Sequence, residues 1–470
     1  MDTRSITAAA ACVLLAAGTA RAAPAAPRHG SPESPPSGGG GAALHLYESV
    51  AVSPDGTRIA TIEADQPADP AVDPSWGIVV RPATAAAAVS RVTLPCAGAG
   101  CRPGSLSWAP DGKTLAFVLN QPKQSHQFVY AVGIDGGAPR RLLEFDGTLG
   151  GLRYGPGGVL AVLATAGAHK QPGATQAGAA LAGEVGERED EQRIATIGAD
   201  GALSWQSPAN LYVYEYDWRP DPAGSPPRFV GTAAPGNGDN EWWVAKLYGF
   251  SGGKGEVLYA PPPKQQLADP VVAPDGQSVA FVGGIMSDFG STGGDVFRVS
   301  LQGPPGGTPA LQDLTPNLKG SVSNLSWSCV APGTAPQLTG TALMGANAAV
   351  LRIGGADPGR VLWQAPESIS GPGRGLGISC GAGRAAAVKQ SFTTAPELQT
   401  ADASGPSLSW TPLTRSNAGH TVPVTARSIT WRSDQYEVQG WLLSPAGAPT
   451  DPNGPKGPMI TGVHGGPAAA

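Results

Sequence analysis

Residues 47–65 read YESVAVSPDGTRIATIEAD. Apolar and polar residues alternate up to Pro54-Asp55-Gly56 and alternate again after it, the pattern of two antiparallel strands joined by a tight turn. Asp and Gly tolerate turn dihedrals that a β-branched residue resists. Two near copies follow, GSLSWAPDGKTLAFVLN at 104–120 and DPVVAPDGQSVAFVGG at 269–284. Weaker copies fill the intervals: LRYGPGGVLAVLAT from Leu152, YDWRPDPAGSPPRFVGTAA from Tyr216, LSWSCVAPG from Leu325 and LGISCGAGRAAAVKQ from Leu376.

Marked by Pro54, Pro110, Pro156, Pro220, Pro274, Cys329 and Cys380, the copies recur at steps of 46 to 64 residues. Each interval has room for a four-stranded sheet. A lone sheet of this kind leaves both faces bare, whereas sheets stacked radially bury them, so the spacing predicts a seven-bladed β-propeller. Six or eight blades remain open, because the weaker copies carry the count. Trp108, Trp218 and Trp327, which recur two residues before the turn position, are expected to pack blade against blade. The longest step holds a low-complexity insertion from about Gly167 to Arg193, read as a solvated excursion with a short charged helix near Glu187–Glu191.

Composition agrees with a mainly β fold. The chain of 470 residues holds 67 glycines and 47 prolines but only 14% charged residues, a mixture suited to many short strands joined by turns. The formal net charge of −5 comes with no basic run and no C2H2 or RNP pattern, which argues against a nucleic-acid partner. At the amino terminus, Arg4 precedes an apolar stretch that ends in Ala20-Arg21-Ala22, the plan of a secretory signal peptide. That apolar core is shorter than a membrane span, which needs roughly 20 residues. Residues 1–22 are therefore expected to be cleaved on export to the periplasm or beyond, and 23–43, rich in Pro, Gly, Ser and Ala, to form a flexible leader. An exported chain permits disulfides. Cys96 with Cys101 and Cys329 with Cys380 are the expected pairs, four thiols being the alternative. No His stands at ligand spacing from a Cys or another His, so neither a metal nor a cofactor is expected.

Near Arg427 the pattern changes. RSITWRSDQYEVQGWLLSP reads as a hairpin, AGAPTDPNGPKG as a linker, and PMITGVHGGP as an apolar strand ending in a glycine loop. This is the order in which an α/β-hydrolase sheet begins. In such a loop the backbone N–H groups of His464, Gly465 and Gly466 can face the oxygen that gains charge in acyl transfer. Two Gly-x-Ser-x-Gly matches, at Ser251 and Ser379, lack the strand before and helix after that a nucleophile elbow needs, and are rejected as nucleophiles.

Propeller hairpins followed by GWLLSP and VHGGP resemble the prolyl oligopeptidase family of serine peptidases. The resemblance implies a propeller at 44–426 that restricts access to short peptides, and the start of an α/β-hydrolase domain at 427–470. It also implies a triad of Ser, Asp and His that would follow HGGP, so no catalytic triad residue is assigned here. The chain is expected to be a truncated portion, inactive alone. YVYEYDW at 212–218 is similar to the segment with which dipeptidyl peptidases hold a substrate's amino terminus through two successive Glu; Glu215 matches the first, and Tyr216 stands in place of the second. An exposed strand carboxylate is the other reading of Glu215. Glu241 and Trp242, in GDNEWWVAKLYGF, are candidate tunnel residues, with core packing as the alternative for the aromatics. The rival function is a non-catalytic periplasmic propeller that binds a partner protein, as Tol propellers with similar hairpins do. Self-association is not addressed by the sequence.

Overall fold

The computed structural model describes residues 43–462 apart from 70, 85–89, 99, 122–125, 135, 168–189, 221–224, 237, 287–292, 303–309, 332, 356–357, 373–374 and 449–456. Residues 1–22, expected to be a signal peptide, the expected leader before residue 43, most of the insertion after Gly167, and His464, Gly465 and Gly466 lie outside the described residues.

The three clear copies fold alike. Ser53, Ala109 and Ala273 each donate their N–H across the hairpin, to the carbonyls of Arg58, Thr114 and Ser278 at 2.8–2.9 Å, and each accepts the N–H of the turn glycine at 2.8–2.9 Å. Those glycines, Gly56, Gly112 and Gly276, have φ of +71°, +66° and +68°, a region where a Cβ is strained. The turn aspartates Asp55, Asp111 and Asp275 accept the N–H two residues on, at 2.9–3.1 Å. The Pro-Asp-Gly signal thus sets both the backbone and its side-chain cap.

Strands pair antiparallel with their sequence neighbours, except that Ser368–Ser370 and Ser379–Gly381 both pair with Arg384–Gln390. The first sheet is His45–Val52, Arg58–Asp65, Gly77–Pro82 and Ser90–Val92. A seven-stranded sheet follows, from Arg102–Trp108 to Leu203–Trp205, then four-stranded sheets over 212–259, 266–313 and 321–365, and a last sheet over 368–412. The seven-stranded sheet turns on one long strand, Arg140–Tyr154, whose first half pairs with His126–Gly133 and whose second half pairs with Leu160–Ala166. It coincides with the shortest sequence step, Pro110 to Pro156, which leaves no linker between one unit's outer strand and the next unit's inner one. Gly147, at φ +140°, marks the division.

Side chains alternate across each strand and feed two cores. In Thr114–Asn120, Leu115, Phe117 and Leu119 join Ala60, Ile62, Ile78 and Val80 of the first sheet, while Ala116 and Val118 join Val129, Val162 and Ala164 on the other side. Burying a side chain of Phe or Leu size contributes about 1.5–3 kcal/mol, so each sheet depends on both neighbours. The expected tryptophans serve this junction. Trp108, Trp218 and Trp327 donate their indole N–H to Ala51, Arg153 and Val271, carbonyls of the preceding unit, at 3.0, 3.4 and 3.4 Å.

The first and last sheets also meet, which closes the ring. Among the described residues each is built from its own segment, and no strand is shared across this seam. Val50 donates to the Gly371 carbonyl at 2.9 Å, and Val52 to Ser379 Oγ at 3.0 Å. A Cβ at Gly381 would strike the Ser53 carbonyl, so glycine permits the backbones to approach there.

Beyond the ring, Val424–Ser433 and Tyr436–Pro445 form the expected hairpin. Trp441 packs on Phe392 of the last sheet's loop, ring centroids 5.2 Å apart. The apolar strand expected next is not formed over 457–462: these residues belong to no sheet, and Ile460 is 99% exposed. A strand needs a partner for its backbone groups, and no neighbouring strand among the described residues offers one.

Candidate functional site

In Tyr212–Trp218, Glu215 and Asp217 are two residues apart and so share one face of the strand. That face meets the inner strand of the next sheet. Asp269 donates its N–H to Glu215 Oε2 at 2.8 Å, Thr232 donates its hydroxyl to the same oxygen at 3.3 Å, and Val272 donates its N–H to Asp217 Oδ2 at 2.8 Å. Asp269 continues the chain outward by accepting the Leu325 N–H. From the preceding unit, Arg153 reaches Asp217 at 3.2 Å and lies over the Tyr216 ring, while Tyr216 donates its hydroxyl to the Gly151 carbonyl at 2.7 Å. Three carboxyl groups and one guanidinium therefore link four successive units.

Register shifts aim these groups. The inner strands carry bulges at Val213/Glu215 and Ala268/Val271, and Asp269 sits at φ +51°. A bulge turns a side chain out of the regular alternation and toward the neighbouring sheet. Glu215 is half-buried and engaged by two donors, so the exposed strand carboxylate expected as its alternative role is not what the structure shows. A substrate amino group would have to displace those donors.

Withdrawal from water pushes the Glu215 and Asp217 carboxyls above their ordinary range, Arg153 opposing this at both. Asp269 is pushed up to about 8, first by desolvation and then by the Glu215 charge. An acid whose folded value is raised binds its proton more tightly when folded. Stability should therefore fall as pH rises from about 3.8, the ordinary value, to about 8, and level off above. Asp269→Asn keeps an acceptor for Leu325 and removes the repulsion. It is expected to flatten that slope and to be more stable than wild type at pH 8; urea midpoints that are level between pH 5 and 8 in wild type would contradict the assignment.

The other candidates take no part in the hydrogen bonds just described. Glu241 and Trp242 stand in a short 3-10 stretch, Gly238–Val244. Trp242 packs against two cores, touching the groups around Leu338 and around Tyr214, whereas its neighbour Trp243 is 55% exposed. Core packing thus describes Trp242, not Trp243. Disulfides join Cys96 to Cys101 and Cys329 to Cys380. Ser251 donates its hydroxyl to the Pro227 carbonyl at 2.9 Å, and Ser379 is the seam acceptor, so each has a structural partner. Among the described residues no three His, Cys, Asp or Glu side chains gather as a metal site would require, and no helix is long and apolar enough to cross a membrane. Arg153, Asp217 and Asp269 escaped the sequence reading. The available signal was charge at inner-strand positions where other copies carry uncharged residues such as Ser49, Ala51, Ser105 and Ser107.

No known family model and no curated protein matches the sequence. Solved structures do. An acylaminoacyl peptidase in complex with Z-Gly-Gly-Phe-chloromethyl ketone superposes with a TM-score of 0.57 at 11% identity, over 86% of this chain and 58% of that one. The β-propeller domain of the trilobed protease from Pyrococcus furiosus, described as having an open velcro topology, matches with a TM-score of 0.51 at 12% identity, over 80% of this chain and 99% of that domain. A puromycin-hydrolysing peptidase of Mycobacterium tuberculosis gives 0.55 at 12% identity, over 84% and 57%. At such identity the likeness is one of fold: this chain is mainly β, with the architecture of a β-propeller. It spans a little over half the length of the whole peptidases it matches.

Proposed function

We propose that this chain is the substrate-gating propeller of an exported prolyl oligopeptidase-like serine peptidase, joined to the first elements of the hydrolase domain. The observation that carries this reading is the fold likeness over 86% of the chain to an acylaminoacyl peptidase, with a hairpin, linker and His464-Gly465-Gly466-Pro467 following the ring in sequence order. Seven blades are proposed, the second and third sharing Arg140–Tyr154. The ring would admit short peptides, and the N–H groups of His464, Gly465 and Gly466 would stabilise the oxyanion of an acyl-enzyme mechanism. Ser, Asp and His would come from sequence beyond Ala470. Export is supported by two disulfides, which persist in oxidising compartments.

The test compares two proteins on aminoacyl and dipeptidyl nitroanilides: the 470-residue chain, and the same chain extended by whatever coding sequence follows Ala470. The extended protein is expected to release chromophore and to lose activity with a serine-directed phosphonate, and the 470-residue chain to stay at background. Phosphonate-sensitive turnover by the shorter chain, or an extension without an elbow serine, would overturn the proposal.

A further inference from the structure

The seam between the first and last sheets is held by side chains, and His45 stands at its edge. Asn417, 2% exposed, accepts the His45 N–H at 2.8 Å and donates its amide to the carbonyls of His45 and Pro396 at 2.8 and 2.7 Å. Asn417 is held in turn by Glu397, whose Oε1 accepts its N–H at 2.6 Å. Beside it Tyr47 donates its hydroxyl to Thr414 at 2.8 Å, and Thr414 donates to Glu397 at 2.5 Å. Strand His45–Val52 thus enters the ring through contacts with residues more than 350 positions away.

The imidazole of His45 lies between two carboxylates of the adjacent strand. Nδ1 is 2.7 Å from Asp65 Oδ1, and Nε2 is 3.1 Å from Glu63 Oε2. Only an imidazolium donates through both nitrogens; either neutral tautomer would point a lone pair at a carboxylate. Glu63 cannot escape by protonating. Burial alone would raise it, but hydrogen bonds from His45 and Arg81, and the Arg81 charge, hold it down at about 2. The groups facing His45 are therefore Glu63 and Asp65 on the second strand, Arg81 behind Glu63 on the third, Tyr47 on its own strand at 4.9 Å between rings, and Glu397 across the seam through Asn417.

We propose that His45 is a pH-operated latch on this seam: as the imidazolium it pins the start of the first strand to Glu63 and Asp65 and so presents its backbone to Asn417, and on deprotonation that strand end is released. The hydrogen bond to Glu63 raises the His45 value above 6.5, against the effect of burial. A histidine raised in the folded state stabilises fully below its unfolded value, and that stabilisation is lost as pH rises through the folded one. The latch should therefore be closed in mildly acidic solution and open in alkaline solution. Because strands are not shared across the ring's ends, the release would be felt at the seam before it is felt elsewhere.

Hydrogen–deuterium exchange of the 470-residue chain between pH 5 and 9, corrected for the intrinsic rate, reads this directly. Peptides covering His45–Val52 and Arg415–His420 are expected to lose about tenfold more protection across the His45 titration than those covering Leu338–Ile353, which follow the global slope set by Asp269. In His45→Gln the step should vanish, and in His45→Lys, which stays cationic, protection should persist to pH 9. Imidazole 15N shifts in wild type should show both nitrogens protonated at pH 6, a readout that stands even if a variant fails to fold. A neutral tautomer at pH 6, or seam exchange that follows Leu338–Ile353 at every pH, would overturn the latch; so would the step persisting in His45→Gln.

Discussion

Arg81→Ala should destabilise the protein by about 3–5 kcal/mol, the usual result of removing one partner from a buried ion pair. Glu63 and Arg81 are 3% and 5% exposed, in neighbouring strands of the first sheet. Arg81 meets Glu63 through both terminal guanidinium nitrogens, Nη2 at 3.1 Å, and donates to Thr61 from Nη1 at 2.8 Å. Without it a carboxylate held at about 2 faces a dry interior with only His45 and Thr61 as donors, and it must either protonate or admit water. The pair itself need not be worth that much, since two charges lose their hydration to make it. Glu63→Gln with Arg81→Met is therefore expected to cost much less than Arg81→Ala alone, a difference readable from denaturant midpoints. A single-variant loss under about 1 kcal/mol would show that water reaches Glu63. The pH behaviour has the opposite sense to that of Asp269. A depressed acid stabilises above its ordinary 4.5, and that contribution is lost as pH falls toward 2.

Most of the ring was legible because its signals are local. Pro-Asp-Gly fixes a turn through the φ of one glycine and one aspartate cap, and alternation in TLAFVLN states which side chains face which core. Trp108, Trp218 and Trp327 could be placed by register alone. What escaped depends on pairs of residues about 50 to 65 positions apart. The alternation in YVYEYDW puts Glu215 and Asp217 on one face, but that they meet Asp269 and Arg153 follows from bulges, which move one residue out of step and carry no composition signal. The seam is harder still, since His45 and Asn417 are joined only by the ring's closure. No strand forms over 457–462 for a related reason. The apolar residues there satisfy a pattern, but a strand is a relation between two segments, and the hairpin before it does not supply the second.

Loss of the Cys329–Cys380 bridge should cost about 4 kcal/mol, about twice the loss expected for Cys96–Cys101 before any packing change, if both act by restricting the unfolded chain. The two cross-links close loops of 51 and 5 residues, and the entropy of closure grows with the logarithm of that length. Position adds to the contrast. Cys329 is 1% exposed in the core shared by the last two sheets, with Val350, Ile369, Ile378 and Ala385 around it. The last sheet has one neighbour on each side: on one the bridge and this core, on the other the seam. With Cys329 and Cys380 both replaced by Ala, the sheet relies on apolar packing and on the polar contacts of Ser379, Asn417 and Tyr47. Limited proteolysis at low urea should then cut within 368–412 well before it cuts within 102–166, and the double variant should be more susceptible at pH 9 than at pH 6. Equal susceptibility of the two regions would mean that the core alone secures the last sheet. A Cys96→Ala, Cys101→Ala protein losing as much stability as the other pair would show that loop length does not set the scale.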